Sequence, residues 1–177
     1  MSSITLYHGD SSDWASDTHV DMVFTHPYAP LPRALHRVPT VINLALPMSE
    51  RDWRLHCARK WLGLTSTDVL FPVGSWARDG WNMVFSVHLP PRPVVLHDLG
   101  PADIGWFPVE LVRRVLLSVR DVVPPNAVIW DGFMGRGTVG LVARELGYDY
   151  IGIDKNRERV NIAADYLGVE ASCVHSF

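Results

Sequence analysis

A strand, a glycine-rich turn and a helix follow one another in the last third of this chain, and they constrain its fold more than any other feature. An apolar run, 127–130, ends at Asp131, and a helix-compatible run begins at Val139. The turn between them holds three glycines, Gly132, Gly135 and Gly137. Glycine lets a backbone turn sharply and approach a ligand closely, and a helix N-terminus presents unpaired N–H groups. The segment therefore predicts a ligand-binding turn.

The next apolar segment ends at Asp154, whose carboxylate can accept hydrogen bonds from both hydroxyls of a ribose. The glycine spacing is not the G-x-G-x-x-G of dinucleotide folds, and no lysine follows as in a phosphate-binding loop. A diphosphate ligand is therefore disfavoured, and a nucleoside without phosphates, such as S-adenosylmethionine, is favoured. A structural alternative stays open, in which the glycines only form a tight turn and Asp131, Thr138 and Asp154 only cap helices.

Strands alternate with helices in this part of the chain, which predicts a parallel sheet with right-handed crossovers. The predicted class is α/β, with a mostly parallel, doubly wound, Rossmann-like sheet in one domain, 1–177. Leu111, Val115 and Val119 lie four apart and predict the buried side of one helix. The predicted strands are 4–7, 20–25, 41–46, 69–73, 84–87, 127–131 and 149–154, and the predicted helices are 50–62, 108–122, 138–147 and 156–167.

Composition narrows the functional class. The net charge is −3 and the pI is about 6.2, so a nucleic-acid contact would have to use a local basic surface. Cys57 and Cys173 form no CxxC pair, which argues against a metal site and fits a reducing cytoplasm. The first ten residues do not resemble a signal peptide, and no apolar run reaches the length of a membrane span.

A second group of residues follows the predicted strand 20–25, in the sequence Thr25-His26-Pro27-Tyr28. Ligands of open parallel sheets lie at the carboxyl ends of the strands. A tyrosine held there between prolines would be a stacking platform for a flat group such as a nucleobase. The alternative is a proline-rich turn with a packed tyrosine.

These segments together resemble the β-class DNA amino-methyltransferases, which methylate adenine N6 or cytosine N4. The matching segments occur in the family's order and are His8-Gly9-Asp10, residues 20–28, residues 105–111, residues 131–138 and Gly152-Ile153-Asp154. The resemblance implies a class I methyltransferase sheet that is circularly permuted, because the cofactor strands come last. The strand at Ile4 would then lie outside the strand 149–154.

The family resemblance also implies a cofactor, a partner and a setting. The cofactor would be S-adenosylmethionine and the partner DNA, with a homodimer or a partner subunit as further possibilities. The setting would be the cytoplasm of a prokaryote, or a phage-encoded enzyme, and restriction–modification. A catalytic-motif half, 1–105, would precede a cofactor-binding half, 106–168, with no separate target-recognition domain.

Site residues are assigned by the same resemblance. Asp131 would lie near the ammonium group of the cofactor, Asp154 at the ribose, and Asp10 near the adenine amino group. The full set of cofactor-binding residues is Asp10, Phe107, Asp131, Gly132, Phe133, Gly135, Gly137, Thr138 and Asp154. The catalytic residues would be Thr25, His26, Pro27 and Tyr28.

The catalytic motif departs from the family's (Asp/Asn/Ser)-Pro-Pro-(Tyr/Phe). Thr25 would stand at the first position, where a hydroxyl is a weaker acceptor than a carboxylate. His26 replaces the first proline; its carbonyl would be the second acceptor, and its imidazole would either take up the amine proton or only end the strand. Tyr28 would stack on a base turned out of the helix. Two other functions stay open: a weakly active binding subunit that needs a partner, and a methyltransferase acting on RNA.

Residues 29–105 would contain little beyond the remaining elements of the sheet. Most of the tryptophans in this range and directly after it are expected in the core; they are Trp53, Trp61, Trp76, Trp81 and Trp106. A loop at 76–81 is the favoured contact to the target. Local phosphate contacts are expected from Arg33, Arg37, Arg51, Arg54, Arg59, Lys60 and Arg78, although a solvated helix face also explains 51–60.

Overall fold

The strands that the structure describes form one mixed β-sheet. The structure is a computed structural model and describes residues 2–26, 29–46, 51–78, 80–89, 94–96, 99 and 107–177. Among these, the strands are β1 (Ile4–His8), β2 (Met22–Thr25), β3 (Thr40–Leu46), β4 (Phe71–Arg78), β5 (Gly80–Val87), β6 (Val128–Asp131), β7 (Asp149–Asp154) and β8 (Val174–Ser176). The α-helices are α1 (Arg51–Trp61), α2 (Val109–Ser118), α3 (Thr138–Glu145) and α4 (Arg157–Leu167).

The strand order is β4-β5-β3-β2-β6-β7-β1-β8. Strands β3, β2, β6, β7, β1 and β8 run parallel, whereas β5 pairs antiparallel with both β3 and β4. The predicted α/β class with a mostly parallel sheet is therefore confirmed. The first strand also lies outside β7, as expected. The circular permutation itself stays a prediction.

The register of the strands aligns their carboxyl ends. Val23 of β2 pairs with Trp130 of β6, Asp131 pairs with Gly152 of β7, and Asp154 pairs with His8 of β1. Four neighbouring strands therefore end at one edge of the sheet, which we call the carboxyl edge. The loops that leave this edge are the segments that the sequence associates with ligands.

Two apolar clusters cover the two faces of the sheet. On one face, α2, α3 and α4 pack their buried residues against the strands, and Leu111, Val115 and Val119 are fully buried as predicted. On the other face, Ala58 of α1 and Leu62 beyond it pack with Val23, Trp130 and the connection between β2 and β3. Helix α2 ends four residues earlier than expected, because Val119 leaves helical dihedral angles.

Residues 76–78 and 80–81 do not form the predicted loop. They belong to the end of a hairpin in which Trp76 pairs with Asn82, Ala77 with Trp81 and Arg78 with Gly80. Asp-Gly is a preferred dipeptide of hairpin turns, so the aromatic residues around it signal two strands rather than one long loop. The prediction of a loop at this position is therefore wrong, whereas a contact with the target from this segment stays a prediction.

Strand β8 was not predicted. It pairs in parallel with β1, where Leu6 lies opposite Val174. Directly after β8, the Phe177 N–H donates a weak hydrogen bond to the His8 carbonyl (3.4 Å). Three residues are too few for a periodic sequence signal, so only the edge of β1 selects this conformation. No described helix has both the length and the apolar character needed to cross a membrane.

Candidate active site

Three carboxylates mark neighbouring strands at the carboxyl edge. Asp131 is the last residue of β6, Asp154 is the last residue of β7, and Asp10 lies two residues beyond β1. Because these strands are adjacent and parallel, the sheet brings together side chains that are far apart in sequence. Carboxylates accept hydrogen bonds, so this edge suits hydroxyl, amino and ammonium groups better than phosphates.

Asp131 is buried and has two hydrogen-bond donors. One oxygen, Oδ1, accepts from the Phe133 N–H (3.1 Å), and Oδ2 accepts from the Tyr150 hydroxyl (3.3 Å). Burial raises the pKa of Asp131 from its usual value to about 7, against the opposing effect of these two hydrogen bonds; the nearby Asp154 charge adds to the rise. A buried carboxylate of this kind is stabilised when a cation binds beside it.

Tyr150 was missed by the sequence analysis although it contacts Asp131. It is fully buried on β7, and burial together with the Asp131 charge raises the pKa of its phenol well above its ordinary value. Two glycines leave room for its ring: a Cβ on Gly140 would lie 2.6 Å from the ring, and one on Gly152 would lie 2.7 Å from it. The available signal was a phenol within an otherwise apolar strand beside glycine.

Asp154 connects the glycine-rich turn to the start of α4. Its Oδ2 accepts from the Gly135 N–H (3.1 Å) and its Oδ1 accepts from the Asn156 N–H (2.8 Å). Asn156 caps α4 by accepting from the N–H groups of Glu158 and Arg159, so the reading of Asp154 as that cap is wrong. A carboxylate oxygen can accept more than one hydrogen bond, so Asp154 keeps capacity for ligand hydroxyls.

The turn after β6 depends on its glycines. Gly135 and Gly137 have φ values of 56° and 83°, in the left-handed region that glycine adopts without strain. Gly137 is the N-cap residue of α3, and the buried Thr138 begins the helix, so neither Asp131 nor Thr138 is its cap. A Cβ on Gly132 would lie 2.2 Å from the Trp130 ring, which excludes any larger residue without rearrangement.

Asp10 is exposed and held in one orientation by Ser12. Its Oδ1 accepts from the Ser12 N–H (3.0 Å) and the Ser12 hydroxyl (2.8 Å). These hydrogen bonds, the backbone one first, lower the pKa of Asp10, which keeps the carboxylate charged. The structure thus leaves Asp10 ionised at the carboxyl edge, whereas burial opposes ionisation of Asp131.

The second predicted group lies at the end of β2. Thr25 is 0% exposed, and its hydroxyl has no hydrogen-bond partner among the residues that the structure describes. The half-buried His26 follows it outside the strand; Pro27 and Tyr28 lie outside the described residues. The enclosure of the hydroxyl at position 25 could not be predicted from the sequence, because the end of a strand carries no local signal of burial.

Phe107 connects the two predicted halves of the site. Its ring stacks on the His26 imidazole, with centroids 6.0 Å apart and planes 28° apart, and it meets the Phe24 ring edge-on at 6.1 Å. Phe107 precedes α2, so a residue from the predicted cofactor-binding half packs against the predicted catalytic motif. Phe133, in the turn after β6, is half-buried against the cluster that contains Trp130.

Comparisons with known proteins agree with the predicted resemblance. Residues 104–165 match the N6_N4_Mtase family model, described as DNA methylase. A segment of 66 residues is 41% identical to the type II methyltransferase M.XycI of Xanthomonas campestris pv. cyanopsidis, covering 37% of this chain and 21% of that protein. The chain spans only about a fifth of the length of that curated relative.

Solved structures show that the likeness extends to the whole fold. The M1.HpyAVI–SAM complex aligns with a TM-score of 0.64 at 17% identity, covering 94% of this chain and 100% of that one. The cytosine-N4-specific PvuII DNA methyltransferase aligns with a TM-score of 0.63 at 14% identity, covering 96% and 88% of the two chains. The class I methyltransferase fold and the resemblance to the amino-methyltransferases are therefore confirmed.

Proposed function

From this resemblance to the N6-adenine and N4-cytosine DNA methylases, we propose that the chain transfers a methyl group from S-adenosylmethionine to the exocyclic amine of a base in DNA. The base is adenine or cytosine, and it leaves the helix before reaction. The observation that carries the proposal is the buried Asp131 at the end of β6, directly beside a turn whose Gly135 and Gly137 adopt left-handed conformations.

The residues at the carboxyl edge fit this cofactor. The ammonium group of S-adenosylmethionine would relieve the cost of burying Asp131, whose pKa burial raises to about 7. Asp154 would accept from the ribose hydroxyls, and Asp10 from the adenine amino group. The cofactor would lie against the backbone of Gly132, Gly135, Gly137 and Thr138. Apolar contacts would come from Phe133 and Phe107. When bound, the cofactor supplies an electrophilic methyl group on a positively charged sulfur.

The residues after β2 would prepare the target amine. Its nitrogen is a poor nucleophile because its lone pair is delocalised into the ring, so acceptors that draw on its N–H groups favour a pyramidal nitrogen. His26 is placed for this, since it lies outside β2 and its ring stacks on Phe107. Its carbonyl would hold one N–H, and its imidazole would take up the proton that the amine loses. Tyr28 would stack on the base.

Thr25 has a supporting part in this proposal. Its side chain is enclosed, so its hydroxyl does not face a base from solvent. We assign the acceptor function to His26 and a packing function to Thr25. Proximity and orientation of the two reactants would then supply much of the rate.

The second candidate is a methyltransferase-fold subunit with weak activity that needs a partner. The enclosed Thr25 hydroxyl favours it, because the position that the family fills with a strong acceptor is not available here. A partner subunit or a homodimer would then complete the DNA-binding surface. In either case we propose one domain, 1–177, with a motif half, 1–105, and a cofactor half, 106–168, acting on DNA in a prokaryotic cytoplasm.

Isotope-labelled S-adenosylmethionine tests the proposal directly. Purified protein is incubated with it and unmethylated DNA, and in parallel with RNA, and the digested nucleosides are analysed by mass spectrometry. Labelled N6-methyladenine or N4-methylcytosine from DNA is expected and identifies the base. Protein that binds the cofactor but labels no nucleoside would support the partner-dependent subunit, and label in RNA alone would refute the DNA assignment.

A further inference from the structure

We propose that the exposed side of α1, formed by Trp53, His56 and Lys60, is a docking surface for duplex DNA beside the target nucleotide. This inference rests on the proposed function, because it names a contact of the same substrate. Most of the tryptophans in this part of the chain were expected in the core, but Trp53 is 62% exposed.

Topology places the start of α1 at the carboxyl edge. Helix α1 connects β3 to β4, and these two strands run in the same direction because each is antiparallel to β5. The helix must therefore run back along the sheet, beginning at the edge where β3 ends. Strand β3 pairs with β2, and Ile42 lies opposite Thr25. Trp53, in the first turn of α1, thus lies at the same edge of the sheet as the proposed catalytic segment.

The burial pattern separates two sides of α1. Ala58 in the helix and Leu62 directly after it are buried against the sheet. The exposed residues are Trp53, His56 and Lys60. Positions i, i+3 and i+7 fall on one side of a helix, so these three side chains form a continuous stripe. The stripe extends about 10 Å along the axis at 1.5 Å per residue, which matches about three nucleotides of one DNA strand.

The local charge of α1 indicates a phosphate-bearing partner for this surface. The whole chain has a net charge of −3, whereas the segment 51–61 contains four basic residues and one acidic residue. Arg59 is already engaged, since its Nη2 donates to the carbonyls of Thr65 (2.6 Å) and Asp68 (3.0 Å). Lys60 therefore remains on the exposed stripe next to an aromatic platform. A cation beside an exposed indole suits a phosphate next to a sugar and base.

A purely solvated helix face would explain Lys60 and His56 equally well, but not Trp53. A large indole left mostly in water at a ligand-binding edge loses the favourable free energy of burial. Extrusion of a base leaves its neighbours partly unstacked, and these present flat surfaces that an indole can cover. We therefore assign the aromatic contact to Trp53 and a phosphate contact to Lys60.

Fluorescence anisotropy with a short labelled duplex of random sequence tests the docking surface without any methyl transfer. Trp53→Ala is expected to weaken binding about tenfold, and Trp53→Phe is expected to restore most of it because a stacking ring remains. Lys60→Ala is expected to weaken binding about threefold and to lower the slope of log Kd against log salt concentration by about 0.9, as for one lost phosphate contact.

Two matched variants control for general surface effects. Tyr166→Ala removes an aromatic ring that is 42% exposed near the end of α4, and Arg120→Ala removes an exposed cation just after α2. Both positions lie towards the opposite edge of the sheet, because α4 leaves the carboxyl edge and α2 leads into β6. Both are expected to bind the duplex as the unchanged protein does, and all variants should retain the unfolding temperature.

The outcomes separate this proposal from the function on which it rests. Equal losses of duplex affinity in the α1 variants and in the controls would overturn the docking surface. It would also be overturned if the unchanged protein did not bind the duplex, or if Trp53 affected the binding of RNA alone. If the unchanged protein methylates DNA while Trp53→Ala keeps both Kd and the KM for DNA, only the docking surface fails. If binding depends on Trp53 and Lys60 but no base is methylated, the docking surface stands and the proposed function fails.

Discussion

The turn after β6 and the segment after β2 differ in how much of their chemistry is local. Residues 129–154 include β6, the turn after it, the start of α3 and β7. They contain two of the three carboxylates and the glycines, so one stretch of chain determines both the backbone conformation and the ligand-binding side chains. The segment after β2 depends on Phe107 from a distant part of the chain, and its Thr25 hydroxyl is enclosed by the sheet. Local sites can be read from short motifs, whereas assembled sites require the tertiary structure.

The largest expected effect in the local site is on cofactor binding by Asp131→Asn. The amide keeps the shape but loses the charge that would pair with the ammonium group, and removing one partner of a buried pair costs about 3–5 kcal/mol. Isothermal titration calorimetry should show S-adenosylmethionine binding weakened at least about 100-fold. Asp165→Asn on the exposed side of α4 is the matched control and should bind normally; unchanged binding in Asp131→Asn would remove Asp131 from the cofactor site.

The same variant should make the ligand-free protein more stable at high pH. The folded-state pKa of Asp131 is raised to about 7, above its unfolded value, so its contribution is present at low pH and is lost as the pH rises through about 7. Asp131→Asn removes this loss, which amounts to at most about 4 kcal/mol for a three-unit difference. Urea unfolding should show the variant gaining stability at pH 8 and little at pH 4. A gain of the same size at both pH values would contradict the burial of an ionisable group.

Gly152→Ala should destabilise the fold by about 2–3 kcal/mol, as expected for overpacking. A Cβ there would lie 2.6 Å from the Met134 sulfur and 2.7 Å from the Tyr150 ring, so both side chains have to move. Gly147→Ala is a useful control, because a Cβ at Gly147 meets no atom within 4 Å and its φ of 84° leaves only backbone strain of about 1 kcal/mol. Equal thermal unfolding of the two variants would show that the close packing around Tyr150 is not required.

Tyr150→Phe should weaken S-adenosylmethionine binding about tenfold while the fold is kept. The hydroxyl is a donor to the Asp131 carboxylate at 3.3 Å, and its loss makes the charged form of Asp131 less favourable. Cofactor titrations over a range of pH should show that, as the pH is lowered, the affinity of the variant begins to fall at a higher pH than the affinity of the unchanged protein. Tyr166→Phe is the control, because it removes the hydroxyl of an exposed tyrosine; it should change neither the cofactor affinity nor its pH dependence.

Thr25→Val should have the smallest effect and tests the assembled site. The hydroxyl is buried and has no hydrogen-bond partner within the described part of the chain, so an isosteric methyl group is expected to leave stability within about 1 kcal/mol or to improve it. If Thr25 only packs beneath the motif, kcat for DNA stays within a few-fold, whereas His26→Ala lowers it strongly. A loss of about 100-fold in Thr25→Val would instead make its hydroxyl an acceptor for the amine.

Predictions from the sequence were most accurate where a segment carries its own structural signals. The apolar runs before Asp131 and Asp154, the glycines between them and the four-residue spacing in α2 led to the correct elements and to the mostly parallel sheet. They were wrong at the hairpin of β4 and β5, and they missed β8. In both regions the conformation depends on a neighbouring strand, and that neighbour is not visible in the local pattern.

What the sequence determined by itself is the βαβ unit with its strand-end acids, because apolar periodicity and glycine conformations act over a few residues. Only the tertiary structure decided that Tyr150 donates to Asp131, that Phe107 stacks on His26, that Thr25 is enclosed and that Trp53 is exposed. Burial and hydrogen bonding between distant residues follow from how the sheet aligns its strands and how the helices cover its faces. These relations set the charge, access and contacts of the side chains whose identity the sequence had already specified.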